Sequence, residues 1–189
     1  MGMVQIVPVA ERASIAAGTV YRYFPAKIDL VRALVAEIAA RELTAMRRAA
    51  DHAPGPLSAL AAALTTFAAR AIRNRRLTWA LLAEPVDAQV DGVQLAYRKA
   101  LAAEIETRIR AALTGNYVPQ QDPALAAAAV VGGLLEALFG PLAPALGERP
   151  SDARTAVQTL TLLSLRALGV ADARARGLVV HSVWPEQAG

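Results

Sequence analysis

The sequence predicts an all-α fold, and three observations carry that expectation. Alanine, leucine and valine supply the apolar mass: hydrophobic residues make up 55% of the 189, aromatic residues only 5%. Alanine is the strongest helix former, and β-branched runs are scarce. Apolar residues recur at helical spacing over several long stretches separated by Pro/Gly breaks. Finally, residues 9–30, VAERASIAAGTVYRYFPAKIDL, read as a short helix, a tight turn and a second helix before Pro25. That is helix-turn-helix grammar, in which the second helix can enter a DNA major groove. A chain of this length supports one substantial core, or a small head on a larger body. The expected division is a head with the start of a linker helix over residues 1–45 and a helical body over residues 46–189.

Taken in order, residues 9–13 form the first short helix, with Pro8 in its first turn, where a missing N–H costs little. After Pro25 a long helix is expected to about Ala50, with apolar positions at Leu30, Leu34 and Ile38, flanked by Val31, Val35 and Leu43. The run His52-Ala53-Pro54-Gly55-Pro56 breaks it. A second amphipathic helix carries Leu57, Leu60, Leu64, Phe67 and Ile72. A shorter helix spans 75–84 and stops at Pro85, and 87–92 reads as a polar loop. Val93, Tyr97, Leu101, Ile105 and Ile109 then form a regular i, i+4 stripe on a helix ending near Gly115-Asn116. Asp122-Pro123 starts the next helix, since Asp can cap and Pro suits the first position. That helix, 124–139, is apolar on nearly every face. Ser151 is the expected cap of the last long helix, which runs through Val157, Leu160, Leu163 and Leu165 to Leu168 and closes at Gly169. In the tail, Val179, Val180, Val183 and Trp184 are candidates to dock on the body. No internal repeat or low-complexity linker is visible.

Charge and chemistry narrow the function. Net charge is +4, from 20 Lys and Arg against 16 Asp and Glu, and the first 53 residues carry seven basic against five acidic side chains. The excess suits an anionic partner without demanding one. No signal peptide is evident, and the most membrane-like stretch, 124–142, contains Glu136, Gly140 and Pro141 and falls short of a spanning helix of about 20 apolar residues. A cytoplasmic location without membrane association is expected. The chain has no cysteine, which excludes disulfides, cysteine nucleophiles and thiolate metal sites. The only histidines are His52 and His181, and no phosphate-binding glycine loop or metal-ligand spacing appears. Glu104 and Glu106 are two apart on a helix and face different ways. Neither an enzyme, a cofactor nor a metal is expected.

The segment Gly18-Thr19-Val20-Tyr21-Arg22-Tyr23-Phe24, followed by Lys27 and Leu30, resembles the DNA-binding signature of TetR-type transcriptional regulators. The likeness is close over roughly residues 4–35 and looser over the body, where Trp79-Ala80-Leu81-Leu82-Ala83-Glu84-Pro85-Val86-Asp87 also resembles family members. On a short helix, Ala17, Thr19 and Tyr21 can reach the groove while Val20 and Phe24, one turn apart, face inward. Thr19 offers a hydroxyl for a base edge or phosphate and a methyl for thymine. Tyr21 offers an apolar ring and a hydroxyl, Tyr23 a phosphate-reaching hydroxyl, and Lys27 a charge beside a helix N-terminus. The resemblance implies the same roles: Thr19 and Tyr21 at bases or adjacent backbone, Tyr23 and Lys27 at phosphates, with Gly18, Arg22 and Ala17 in the same surface. Each of these residues taken alone also suits a core or a solvated face; the constellation favours DNA.

Departures from the family pattern bear on competence. The turn holds Ser14 where glycine is usual, and Ala16 and Ala26 stand at two usual caps, each loss costing about 1 kcal/mol. Ala17 replaces an often polar base reader. The helix that normally precedes the motif, burying large side chains worth roughly 1.5–3 kcal/mol each, is expected to be missing, because the motif starts within a few residues of Met1. A start codon placed too late is the favoured explanation, ahead of a truncated gene or a head completed by something else. This chain is then expected to bind DNA poorly and an upstream-extended form specifically.

For the body, the resemblance implies a small-molecule effector pocket among the helices of 57–115. Phe67, Trp79, Tyr97 and Met46 are candidate walls, with Glu84 and Arg98 as polar handles; ordinary core packing explains any one of them equally well. The last two long helices are implied to form the homodimer, through Val131, Gly132, Leu135, Leu160 and Leu163, with Gly132-Gly133 permitting close approach. A dimer brings two heads to two half-sites of a double-stranded operator. The function implied is a repressor released by a small hydrophobic effector. The alternative is a dimeric small-molecule-binding protein whose truncated head no longer binds DNA.

Overall fold

The computed structural model describes residues 5–82, 88–147 and 149–181, and among these every regular element is helical. In chain order they are α1 (Ile6–Arg12), α2 (Ala17–Tyr23), α3 (Lys27–Asp51), α4 (Pro56–Arg73), α5 (Arg75–Leu82), α6 (Ala88–Thr114), α7 (Pro123–Phe139), α8 (Pro150–Ala167) and α9 (Asp172–His181). The all-α expectation holds, and most boundaries fall within a few residues of those read from spacing. The first helix begins three residues earlier than expected, with Pro8 inside its first turn.

The long helix α3 connects the two packed regions. Its buried stripe is Val31, Val35, Ala39, Leu43, Met46 and Ala50, all at spacings of three or four. The stripe sits one position beyond the Leu30–Leu34–Ile38 line expected from sequence. Leu34 is exposed, while Leu30 turns toward α1 and α2. The stripe packs against α4 and α6, and α4 in turn against α8 and α9. α4 is the most buried helix, hiding Leu57, Leu60, Leu64 and Phe67 together with a band of alanines. Alanine lets neighbouring helices approach closely, so few aromatic rings are needed to fill this core. On α6, Tyr97, Leu101, Ile105 and Ile109 are buried as their stripe predicted.

Three local expectations are corrected. Residues 88–92 belong to α6 and not to a loop; the helix runs straight through Gly92, and Gln94 Nε2 donates to the Ala80 carbonyl at 3.0 Å, tying α6 to α5. Ser151 does not cap α8, because Pro150 already occupies its first position; the carboxylate of Asp152 instead accepts from the Arg149 N–H. The tail is helical through α9, burying Ala175 and Val179 but leaving Val180 exposed, while Val183 and Trp184 lie outside the described residues. Other signals hold. Asp122 accepts from the N–H groups of Ala124 and Leu125 at 2.8 and 3.1 Å. Gly169 takes a positive φ of 86°, and Val170 donates back to Leu165, closing α8.

Charged side chains brace the body end of α3. Arg70 of α4 forms a two-pronged ion pair with Glu42, at 2.6 and 2.8 Å. Glu104 of α6, only 6% exposed, accepts from Arg47 and Arg108, and Arg108 continues to Asp51. No helix among the described residues is long and apolar enough to cross a membrane.

Candidate nucleic-acid interface

α1 and α2 enclose a small cluster of their own, in which Ile6, Ala10 and Val20 are buried and Ala17, Phe24 and Leu30 pack around them. The turn between the helices passes through Ser14 at φ 56°, the left-handed region in which glycine is at ease. The Ile15 N–H donates to the Ala10 carbonyl at 3.0 Å, folding α2 back across α1. No side chain caps α2 at Ala16. At Ala26 the missing cap is offset in part: the Asp29 carboxylate accepts from the Ala26 N–H at 3.1 Å, half of a capping box.

The packing divides α2 into two faces. Val20 and Phe24 turn inward as their spacing required. Ala17, expected to reach a groove, is half-buried against the same cluster, because it lies one turn before Val20 on the inner face. Gly18 and Arg22 are exposed, Thr19 is half-exposed, and Tyr21 and Tyr23 are 50% and 69% exposed. The Arg22 guanidinium lies 5.3 Å from the Tyr23 ring centre, within cation–π range. Lys27 is exposed in the first turn of α3, directly after the Pro25 break. Two aromatic hydroxyls, an arginine and a lysine are therefore exposed along α2 and the start of α3, with a half-exposed threonine among them.

The other expected sites fare differently. Phe67, Tyr97 and Met46 belong to one apolar core. Burial above all, and then the Glu42 charge, push the Tyr97 hydroxyl well above the ordinary tyrosine range, with Arg70 opposing. Trp79 is 39% exposed on α5, so it does not wall an enclosed cavity. Arg98 is exposed and donates through Nε to the Leu82 carbonyl at 2.8 Å, satisfying the end of α5 rather than presenting a handle to a ligand. Glu84 lies outside the described residues. The Glu42–Arg70 pair beside Tyr97 carried no sequence signal, because its partners are separated by 28 positions. Glu104 and Arg108 were not singled out as a pair either; their i, i+4 spacing was the one local signal for it, and it does not disclose their burial.

Between α7 and α8 runs an apolar groove of about 220 Å³, lined by residues including Val130, Gly133, Leu134, Leu160, Leu163 and Leu168. Leu163 is 59% exposed at its edge, Gly132 is exposed, and Leu135 and Leu160 are half-buried. Val131, expected at a partner surface, is buried within the chain; an all-round apolar helix does not disclose which side its own body covers. Among the described residues no group of three His, Asp or Glu side chains could hold a metal ion.

With this geometry in place, comparison with known proteins is informative. Residues 4–34 match the family described as bacterial regulatory proteins, tetR family. No curated protein sequence matches the chain. Among solved structures, RolR without ligand superposes with a TM-score of 0.67 at 20% identity, covering 96% of this chain and 89% of RolR. RolR in complex with its ligand resorcinol gives a TM-score of 0.67 at 21% identity over 98% of this chain and 86% of RolR. The chain thus joins a segment, residues 4–34, that matches the tetR family of bacterial regulatory proteins to a fold shared with RolR over nearly its whole length.

Proposed function

We propose that the chain is a DNA-binding transcriptional regulator, a repressor released by a small hydrophobic effector, acting as a homodimer. The observation that carries this reading is the two-faced α2. Its inner residues anchor it, while Gly18, Thr19, Tyr21, Arg22 and Tyr23, with Lys27 beside them, form an outward surface suited to bases and phosphates. Residues 1–45 act as the reading unit and residues 46–189 as the unit that dimerises and senses. The α7/α8 groove supports the dimer: its apolar rim, with Leu163 at the edge, is the kind of surface a second copy covers.

RolR binds resorcinol. That precedent makes a small phenol the first effector to try here, with the buried Phe67 and Tyr97 as the aromatic side of its pocket. The effector acts only through a difference in affinity between two arrangements of the heads. α3 is the element to transmit it, since it runs unbroken from Lys27 past the Glu42–Arg70 and Arg47–Glu104 pairs.

Footprinting on the DNA flanking the protein's own gene tests the proposal. A protected, two-fold symmetric site is expected, weaker for this chain than for an upstream-extended form, weakened at least tenfold further by Tyr21→Ala or Lys27→Ala and released by resorcinol or a related phenol. Absence of any protected region at low salt would overturn the DNA-binding reading. Protection insensitive to every phenol would overturn the effector class alone.

A further inference from the structure

Within the reading of α2 as a major-groove helix, on which this inference rests, we infer that Arg22 is its central base-reading side chain and that it selects a guanine in each half-site. The argument begins with the helix's own packing. Ala17, Val20 and Phe24 contact the head cluster and so define the inward direction. At about 100° per residue, Arg22 then lies within roughly 15° of the opposite, outermost direction. Thr19 and Gly18 flank it at about 45° and 55°. Tyr21 and Tyr23 fall to the two sides, roughly 65° and 95° from the inward direction. A helix entering a groove points its outermost residues at the base edges and its flanks at the two backbones. Arg22 is therefore placed for bases, and the tyrosines for the phosphates on either side.

Two further features favour this assignment. Helical side chains lean toward the N-terminus, so Arg22 extends over the turn that contains Gly18, four residues earlier. A Cβ at Gly18 would meet nothing within 4 Å, and its backbone has no positive φ, so nothing inside the folded chain requires glycine there. Its bareness clears the outer turn across which Arg22 reaches. The second feature is the ring of Tyr23, beside which the guanidinium rests at 5.3 Å. This stack restricts an otherwise mobile side chain before DNA arrives and lowers the entropy lost on docking. Tyr23 is thus a positioning residue for Arg22 as well as a phosphate contact.

The chemistry names the base. A guanidinium presents two parallel N–H donors that match the O6 and N7 acceptors of guanine in the major groove. Adenine offers a donor at N6 and pairs instead with glutamine or asparagine. Replacing Arg22 should therefore change which base is preferred, whereas replacing a phosphate contact weakens all sequences alike.

Selection of duplexes from a randomised pool, with the full chain and with its Arg22→Ala and Arg22→Gln variants, tests this. Arg22 is exposed, so its replacement leaves the thermal melt unchanged. The wild-type protein is expected to recover a guanine at one fixed position of each half-site, favoured roughly 5- to 150-fold over other bases. Arg22→Ala should lose preference at that position alone, and Arg22→Gln should shift it toward adenine. If the variants keep the wild-type preference and lose about one unit of salt slope, Arg22 is a phosphate contact and this inference fails while DNA binding stands. If the wild-type protein enriches no sequence, the DNA-binding reading fails and this inference with it.

Discussion

Ile6, Ala10 and Val20 hold α1 and α2 together with the help of three half-buried neighbours, whereas the body buries Leu60, Leu64 and Leu165 completely, in a core fed by every helix from α3 to α9. A fully buried valine or isoleucine contributes roughly 1.5–3 kcal/mol. Ordering a single residue's backbone costs about 1–2 kcal/mol. Two such side chains do not fix a segment of nearly twenty residues, so α1 and α2 depend on α3, through Leu30 and Phe24, for their order. The body needs no such support. The lesson is a separation: the exposed face of α2 lies apart from the interior that stabilises, so replacements on that face leave the body's stability largely unchanged.

That contrast can be broken from its heavy side first. Leu64→Ala empties a fully buried site and should lower the global unfolding free energy by about 2–5 kcal/mol. Val20→Ala should cost less than about 2 kcal/mol and act on the head alone. Urea titrations followed by circular dichroism compare the two, and equal global losses would undo the separation. Next comes the brace on α3. Glu104→Ala leaves Arg108, only 18% exposed, without its main partner, and should cost about 1.5–3 kcal/mol. The half-exposed Arg47 adds little to that figure. The same titration checks it.

Smaller effects sharpen the head. Ser14→Gly relieves a left-handed residue and should stabilise α1 and α2 by roughly 1 kcal/mol, read as slower amide exchange in the head with the body unchanged. The smallest effect at neutral pH belongs to Tyr97. Its folded pKa is raised, so its contribution to stability is complete below the ordinary value of 10.0 and is lost as pH climbs beyond it. Tyr97→Phe should remove that part of the alkaline loss, visible in melting temperatures taken from pH 8 to about pH 11.

Much of this was legible in the sequence, for identifiable reasons. Periodicity located the helices because each buries one stripe, and Asp122 and Gly169 announced helix ends because their geometry demands those residues. The Gly18-to-Lys27 signature disclosed an exposed face because exposure of two tyrosines beside buried Val20 and half-buried Phe24 follows from helical spacing alone. Spacing failed where several faces are apolar. Leu34 and Val131 were assigned to the wrong side because α3 carries two adjacent apolar lines and α7 is apolar all round. It failed again at residues 88–92, where Gly92 suggested a loop that helical packing against α5 overrides. The Glu42–Arg70 pair was invisible because contacts across two helices leave no local period. The expected pocket handle Arg98 was engaged by a carbonyl, a tertiary choice that no spacing encodes.

Hydrogen–deuterium exchange of the full chain, with and without its selected duplex, tests the central claim most directly. The account predicts fast exchange in α1 and α2 without DNA, slow exchange in α4 and α6, and protection on binding concentrated in residues 17–27. Protection that appeared in the body while α2 remained unchanged would contradict it.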